Sequence, residues 1–185
     1  MAKFISFLLI STLGSLTAAS PISVSNVRIT EEVKNLIGPN LKLDYRKVGI
    51  DQDIDLRKHT GHVNLTIYSD SAKVTPHFLD STIKDENNFD TKHYKTITFK
   101  SSKVHFTDQD EIDRLDGILY LRNRSTPISF KKNSFTCKSD AQGKRTCNLD
   151  FTAPLDRTKL GLTYALKLGL SRQAPINIRA TIKEQ

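Results

Sequence analysis

The residue types that most often perform catalysis or bind metals are sparse in this sequence, and their spacing matches no common motif. His59 and His62 lie three residues apart, and two histidines alone make a poor zinc site. The chain contains no Gly-x-Ser-x-Gly elbow, no His-Glu-x-x-His helix and no glycine-rich phosphate loop. The histidine pair is therefore interpreted as part of a solvated turn.

The acidic residues gather in clusters that are typical of turns. One cluster holds Asp51, Asp53 and Asp55, and another lies within residues 108–113. Calcium loops also place aspartate at every second position, but these clusters lack the glycine and the distal glutamate of such a loop. Paired-carboxylate catalysis needs two acids in one cavity, which this spacing does not predict. We therefore predict a protein that is not an enzyme and has no catalytic residues, no metal and no cofactor.

Two cysteines, Cys137 and Cys147, flank a turn-rich run centred on Gln142. If the flanking segments form a hairpin symmetric about Gln142, the cysteines lie opposite each other, and the geometry allows a cross-strand disulfide. Such a bridge would contribute about 2 to 3 kcal/mol to stability. A redox or metal-binding pair is the alternative, although no Cys-x-x-Cys spacing supports it.

The N-terminus has the pattern of a secretory signal peptide. Lys3 precedes an uncharged apolar stretch over residues 4–16, and small residues follow up to Ala19. We predict cleavage of residues 1–19, a single domain over residues 20–185, and a periplasmic or secreted location. An uncleaved signal anchor is the alternative, but the apolar stretch is shorter than the ~20 residues that a spanning helix needs.

The composition of the chain is that of a globular domain with an excess of positive charge. Its 185 residues include 28 Lys+Arg and 20 Asp+Glu, which gives a net charge of +8, and 37% of them are hydrophobic. This hydrophobic content is too high for a disordered polyelectrolyte. Ordinary solubility explains the excess of lysine and arginine, and attraction of anionic groups such as lipid head groups is the alternative.

Apolar and polar residues alternate with a period of two through most of the sequence. The pattern is clear in residues 41–46, 63–68 and 176–183, and it is typical of strands with one buried face. The parity changes between Phe99 and Val104, which predicts a β-bulge within residues 101–103. A short helical segment is expected within residues 30–36, and residues 84–92 are expected to form an irregular or helical crossing.

About eight strands with little helix favour a closed antiparallel barrel or a sandwich. These two architectures predict different functions. An eight-stranded barrel can be filled by side chains or hold one small ligand, whereas a sandwich core is packed and its function lies in the loops. Periodicity alone does not choose between them.

Two segments carry a resemblance to a known family. Asn88-Phe89-Asp90, Tyr94 and the run Ile97-Thr98-Phe99-Lys100-Ser101 match a signature element of the YceI-like polyisoprenoid-binding family. The stretch from Gly117 to Ile128 is similar to a second element, a strand and turn of that family. In order and spacing the resemblance extends over residues 24–183, which is nearly all of the predicted mature chain.

The resemblance implies an all-β fold, an elongated eight-stranded antiparallel lipocalin-like barrel with little helix, exported to the bacterial periplasm. It also implies an apolar tunnel that holds an isoprenoid or a similar long-chain lipid. If the alternating apolar faces close on themselves, ten residues are candidates for lining this tunnel. They are Phe78, Leu79, Phe89, Tyr94, Ile97, Phe99, Phe106, Leu119, Leu121 and Tyr164.

The predicted function is therefore a periplasmic carrier or sequestering protein for a polyisoprenoid or similar long-chain amphiphile. The alternative is a secreted, packed β-domain that acts in protein interaction or stress response without a bound lipid. A transient contact with a membrane surface and a homodimer both stay open. Nucleic acid is not an expected partner, because the basic residues lack the interleaved exposed aromatics of a stacking surface.

Overall fold

Ten β-strands form one antiparallel sheet in the computed structural model, which describes residues 22–184. The strands are β1 (Ile22–Val33), β2 (Leu41–Tyr45), β3 (Val48–Asp55), β4 (Thr60–Tyr68), β5 (Ala72–Thr75), β6 (Thr96–Phe106), β7 (Ile112–Leu121), β8 (Arg124–Ser139), β9 (Arg145–Ala153) and β10 (Ile176–Glu184). The predicted signal peptide, residues 1–19, lies outside the described residues.

The sheet curls on itself because two consecutive strands, β2 and β3, lie near its opposite ends. The strand order is β3-β4-β6-β7-β8-β9-β10-β1-β2-β5. Only Arg46 and Lys47 separate β2 from β3, although β2 pairs with β1 near one end of the sheet and β3 pairs with β4 at the other. The Gln52 side chain also donates a 3.1 Å hydrogen bond from β3 to the carbonyl of Ile22 at the start of β1. The two ends of the sheet therefore meet.

The all-β class and the antiparallel pairing are as predicted, but the expected count of eight strands is not confirmed. Two long segments are each broken once, at Arg46-Lys47 and at the short 3-10 helix Ser69–Ser71. The two breaks lie side by side, since the backbone N–H of Lys47 donates to the Ser71 hydroxyl at 3.0 Å. The Ser71 hydroxyl thus accepts from Lys47 in place of a ladder carbonyl, which no alternation of residue types would indicate.

Alternate residues of each strand point into the core, as the period of two predicts. In β10, Ile176, Ile178 and Ile182 are buried whereas Arg179 is exposed. The predicted bulge is also confirmed, because the register between β6 and β7 shifts between Ser101 and Lys103. An extra residue there restores the inward direction of the side chains that follow.

Helix is scarce and is concentrated at one end of the sheet. The α-helix α1 (Asp80–Lys84) follows a 3-10 helix at His77–Leu79, and two further 3-10 helices lie at Arg157–Leu160 and Leu166–Leu168. The prediction of helix from residue 30 was wrong, because residues 30–33 belong to β1 and pair with β2. Within residues 22–184, no helix is both long and apolar enough to span a membrane.

The β8–β9 hairpin has the predicted symmetry about Gln142. Cys137 and Cys147 are directly opposed in the register, and they form a disulfide with a Cα–Cα distance of 4.0 Å. The Asp140 carboxylate closes the turn by accepting hydrogen bonds from the backbone N–H groups of Gln142 and Lys144. This hairpin lies at one end of β9. The site described next lies near the other end of β9, at Ala153.

Candidate functional site

An apolar cavity of about 240 Å³, named here the outer chamber, opens at one end of the curled sheet. Its walls come from β1, β2, α1 and the irregular segment 157–170. The apolar residues of this lining are Val33, Leu41, Leu43, Leu79, Ile83, Phe89, Leu162, Ala165, Leu168 and Leu170. The volume lies just below the range of about 300 to 1,000 Å³ that is usual for small-ligand pockets.

A second cavity of about 20 Å³, the inner chamber, lies deeper between the faces of the sheet. Its apolar lining consists of Ile29, Ile67, Phe89, Ile97, Leu119, Leu121, Leu155, Leu160, Leu162 and Ile176, with Tyr45 beside them. Glu31, Phe89 and Leu162 line both chambers and therefore stand between them. A space of this size holds about one water molecule, so the inner chamber is closed to a lipid chain in this conformation.

Phe89 is fixed at this position by a tightly hydrogen-bonded turn after α1. Its backbone N–H donates to the carbonyl of Ile83 at 3.1 Å, and the Asn88 side chain donates to the carbonyl of Thr82 at 2.8 Å. The ring itself is buried and lies 6.1 Å from the ring of Tyr45, measured between centroids. The turn thus holds one aromatic side chain across the route from the outer to the inner chamber.

Arg157 shapes the opposite wall of the outer chamber. Its buried guanidinium donates hydrogen bonds to three backbone carbonyls, those of Ser171 (2.7 Å), Leu162 (2.9 Å) and Tyr164 (3.1 Å). Burial lowers the pKa of this guanidinium, and the nearby Glu31 carboxylate opposes that change. Arg157 therefore positions the segment 162–171 rather than presenting free donors to the chamber.

Glu31 is the acidic group of the cavity. It is 6% exposed, and its Oε2 accepts a 2.8 Å hydrogen bond from the Tyr45 hydroxyl. Burial raises the pKa of Glu31 to about 7, although the hydrogen bond from Tyr45 and the charge of Arg157 lower it. Burial and the adjacent Glu31 charge also raise the pKa of Tyr45. The carboxyl group can thus be neutral or charged near neutral pH.

The structure brings six of the ten predicted tunnel residues to the two chambers. Leu79, Phe89 and Tyr164 line the outer chamber. Phe89 also lines the inner chamber, together with Ile97, Leu119 and Leu121. These six residues come from β6, β7 and three separate segments between strands, so the curl of the sheet is what brings them together.

The other four predicted residues lie elsewhere. Phe99 is packed edge-on against Phe130 with ring centroids 5.2 Å apart. Phe106 stacks on His59, and Phe78 is 79% exposed. Tyr94 lies on an open surface groove near Arg122, where its hydroxyl accepts a 2.9 Å hydrogen bond from the side chain of Asn123.

Sequence reasoning missed both charged residues of the cavity. Glu31 lies between Ile29 and Val33, and all three are buried, so the period of two already gives it an inward position in a strand. The expectation of a helix at residues 30–36 concealed that signal. Arg157 has no such pattern, because it belongs to an irregular segment whose path depends on distant carbonyls.

The described part of the chain, residues 22–184, contains no group of three or more His, Cys, Asp or Glu side chains arranged to hold a metal ion. The His–Asp contacts that it does contain lie on the outer surface or in turns. His59 and Asp110 are 2.9 Å apart, and His93 and Asp90 are 2.8 Å apart. Neither pair faces the two chambers.

Solved structures share this fold. BcnA of Burkholderia cenocepacia superposes with a TM-score of 0.69 at 16% identity, covering 84% of this chain and 95% of that one. A YCEI protein of Campylobacter jejuni gives 0.65 at 18% identity, with 82% and 90% covered. A polyisoprenoid binding domain from Saccharophagus degradans gives 0.63 at 8% identity, with 89% and 97% covered. The comparison with curated proteins gives no significant match.

The sequence itself also matches a family description. The model of the YceI-like domain aligns with residues 22–182, which includes every strand of the sheet except the last two residues of β10. Both elements of the resemblance seen in the sequence, residues 88–101 and 117–128, lie inside that match. The chain belongs to the YceI-like family.

Proposed function

We propose that this protein is an exported carrier or sequestering protein that binds a polyisoprenoid or similar long-chain lipid in the outer chamber. The observation that carries the proposal is the apolar lining of a cavity that opens to solvent beside Tyr164 and Leu168. Support for the ligand class comes from family membership and from a structural neighbour described as a polyisoprenoid binding domain. The predicted signal peptide supports a periplasmic or secreted location.

The energetics of such binding are favourable for a short chain segment. Burial of apolar surface contributes about 0.8 kcal/mol per methylene-sized group. Micromolar affinity requires about 8 kcal/mol, so a few isoprene units suffice before the entropic cost of association is counted. The outer chamber alone holds a short segment, and a longer chain requires Phe89 or Leu162 to move and open the inner chamber.

The polar groups of the outer chamber indicate where an oxygen of the ligand would lie. Oε2 of Glu31 accepts a hydrogen bond from the Tyr45 hydroxyl, and Glu31 lines both chambers. A neutral Glu31 can donate to a carbonyl or hydroxyl oxygen, and a charged Glu31 can accept from a hydroxyl. We therefore favour a lipid with an oxygen near its buried end over a pure hydrocarbon.

The proposal assigns binding, and no catalysis, to this site. Its polar side chains are the Glu31 carboxyl, the phenols of Tyr45 and Tyr164, the Arg157 guanidinium tied to carbonyls, and the uncharged Asn35, Thr82 and Asn88. No serine or cysteine nucleophile lies among the lining residues of either chamber. Such a lining can bind and orient a lipid through apolar contacts and hydrogen bonds.

Cavity-filling substitutions test the proposal. Val33→Phe places a larger side chain in the outer chamber from β1, and Leu79→Trp does so from the opposite wall. Displacement of the fluorescent polyene parinaric acid by farnesol measures binding, and thermal unfolding verifies the fold. We expect each filled variant to lose at least tenfold in affinity, whereas Ile118→Phe on the outer face of β7 keeps it. Unchanged farnesol binding by a folded, filled variant would overturn the proposal.

A further inference from the structure

Exposed apolar side chains surround the mouth of the outer chamber. Seven large hydrophobic residues of the described chain are exposed, and five of them belong to three segments at this mouth. The five residues, named here the apolar rim, are Leu36 (84% exposed), Ile37 (81%), Phe78 (79%), Leu168 (65%) and Tyr164 (42%). Burying such side chains is worth about 1.5 to 3 kcal/mol each.

Direct contacts show that the rim segments surround one opening. Tyr164 and Leu168 line the outer chamber themselves, as do Asn35 and Leu79, the chain neighbours of Leu36 and Phe78. The backbone N–H of Leu36 donates to the carbonyl of Gly169 at 3.0 Å. Asn35 also forms a β-bridge with Leu170, which holds the segments 34–40 and 163–170 side by side.

The charge of the rim segments is positive. Segments 34–40, 77–79 and 163–170 contain Lys34 and Lys167, both exposed, and no aspartate or glutamate. Lysine is depleted from the buried centres of protein–protein interfaces, whereas lysine beside exposed apolar residues is typical of surfaces that bind anionic membranes. The rim therefore matches an anionic bilayer better than a second copy of the chain.

We propose that the apolar rim docks the protein on an anionic lipid bilayer, with the outer chamber facing the acyl chains. Leu36, Ile37 and Phe78 insert among the lipids while Lys34 and Lys167 meet the head groups. The inference extends the proposed function, because it assigns the route by which a lipid passes between bilayer and chamber without crossing water. The docking itself does not depend on which lipid the chamber holds.

Vesicle flotation tests the docking. The probes are vesicles of phosphatidylethanolamine with phosphatidylglycerol, and vesicles of phosphatidylcholine alone. We expect the wild-type protein to float with the anionic vesicles, and Leu36→Ser/Ile37→Ser/Phe78→Ser to lose at least tenfold in partitioning. The matched control is Ile118→Ser/Tyr120→Ser, which removes the two exposed apolar residues of β7 and leaves flotation unchanged. The partitioning of Lys34→Ser/Lys167→Ser onto anionic vesicles should fall about fivefold for each lysine removed, and its partitioning onto phosphatidylcholine vesicles should not change.

The outcomes separate docking from lipid binding. Leu36, Ile37 and Phe78 do not line the outer chamber. The rim variant, in which these three residues are replaced by serine, therefore keeps farnesol binding in solution if the proposed function holds. Wild-type protein that fails to float, or a rim variant that floats as well as wild type, would overturn the docking. A wild-type dimer in solution that the rim variant dissociates would do so too, because the rim would then be an interface between copies. Flotation without farnesol binding would keep the docking and overturn the proposed function.

Discussion

Tyr45 donates a 2.8 Å hydrogen bond to Glu31 inside the curled sheet, at the point where the outer and inner chambers meet. The two residues lie on the neighbouring strands β1 and β2, where Tyr45 is paired with Ile29, two positions before Glu31. A buried acid lowers the stability of the fold when it is charged, because the charge is removed from water. It also gives an apolar cavity its one carboxyl group.

The pKa of Glu31, raised from 4.5 to about 7 by burial, predicts a pH-dependent stability. The unfolded chain releases this proton near pH 4.5 and the folded chain only near pH 7, so stability falls as the pH rises through that window and is level above it. The loss is about 3 kcal/mol. Denaturant unfolding from pH 4.5 to 8 should show Glu31→Gln gaining that amount relative to wild type.

The matched control for this experiment is Glu32→Gln. Glu32 is the next residue along β1, and its carboxylate accepts a hydrogen bond from the Asn40 side chain on the outer side of the strand. We expect Glu32→Gln to keep the fall in stability from pH 5 to pH 8 that the wild-type protein shows, because Glu31 is unchanged in it. An equal pH dependence in wild type and Glu31→Gln would refute the account of the buried acid.

Phe89 controls the depth of the cavity. Phe89→Ala removes the largest of the three side chains between the two chambers, and it should increase the length of chain that binds because the opening between the chambers widens. Binding of farnesol and of the longer geranylgeraniol would be compared by displacement of parinaric acid. We expect the ratio of affinities to shift at least fivefold toward geranylgeraniol. Phe106→Ala, an equal truncation at a ring that stacks on His59 instead, should leave that ratio unchanged.

Gly117 leaves room for the ring of Phe99. A Cβ at residue 117 would collide with that ring and with the backbone carbonyl of Lys100. Gly117→Ala should therefore destabilise the protein by about 1 to 3 kcal/mol. In the control Gly49→Ala, the added methyl group meets Thr66 at an ordinary contact distance of 3.7 Å, and we expect no loss of stability. Equal free energies of unfolding for the two variants would contradict this packing.

The disulfide stabilises the fold at a distance from the chambers. Cys147 is paired with Ile182, six residues along β10 from Ile176 of the inner chamber, which is about 20 Å of strand. Cys137→Ser/Cys147→Ser should lose about 2 to 3 kcal/mol of stability. Farnesol affinity measured well below the melting temperature should stay unchanged. A large loss of affinity in the folded variant would mean that the hairpin shapes the site.

The regular part of the fold could be predicted from the sequence, because strand faces and turns leave a local pattern. The alternation in β10, the bulge between Ser101 and Lys103, and the hairpin about Gln142 were all visible in residue types. The break at Arg46-Lys47 was not, since it depends on a hydrogen bond to Ser71, 24 positions away from Lys47. Strand number was therefore predicted less well than strand position.

The site was only partly predictable, because some of its walls depend on contacts between residues that are distant in the sequence. Ile97, Leu119 and Leu121 face inward by their strand parity, and the structure brings them to the inner chamber. The walls of the outer chamber come instead from segment 157–170, whose path is set by the hydrogen bonds of Arg157 to three carbonyls. Phe99 has the right parity but packs on Phe130, which parity alone does not reveal.

The central claim is that the outer chamber holds a lipid. The most direct measurement is native mass spectrometry of the protein purified without detergent from a bacterial periplasm, followed by organic extraction of any bound molecule. We predict a stoichiometric mass increase that extracts as a polyprenyl or other long-chain lipid, and its absence from Val33→Phe prepared in parallel. A bare polypeptide mass for the wild-type protein, less only the two hydrogens of the disulfide, would contradict the claim and favour a packed interaction domain.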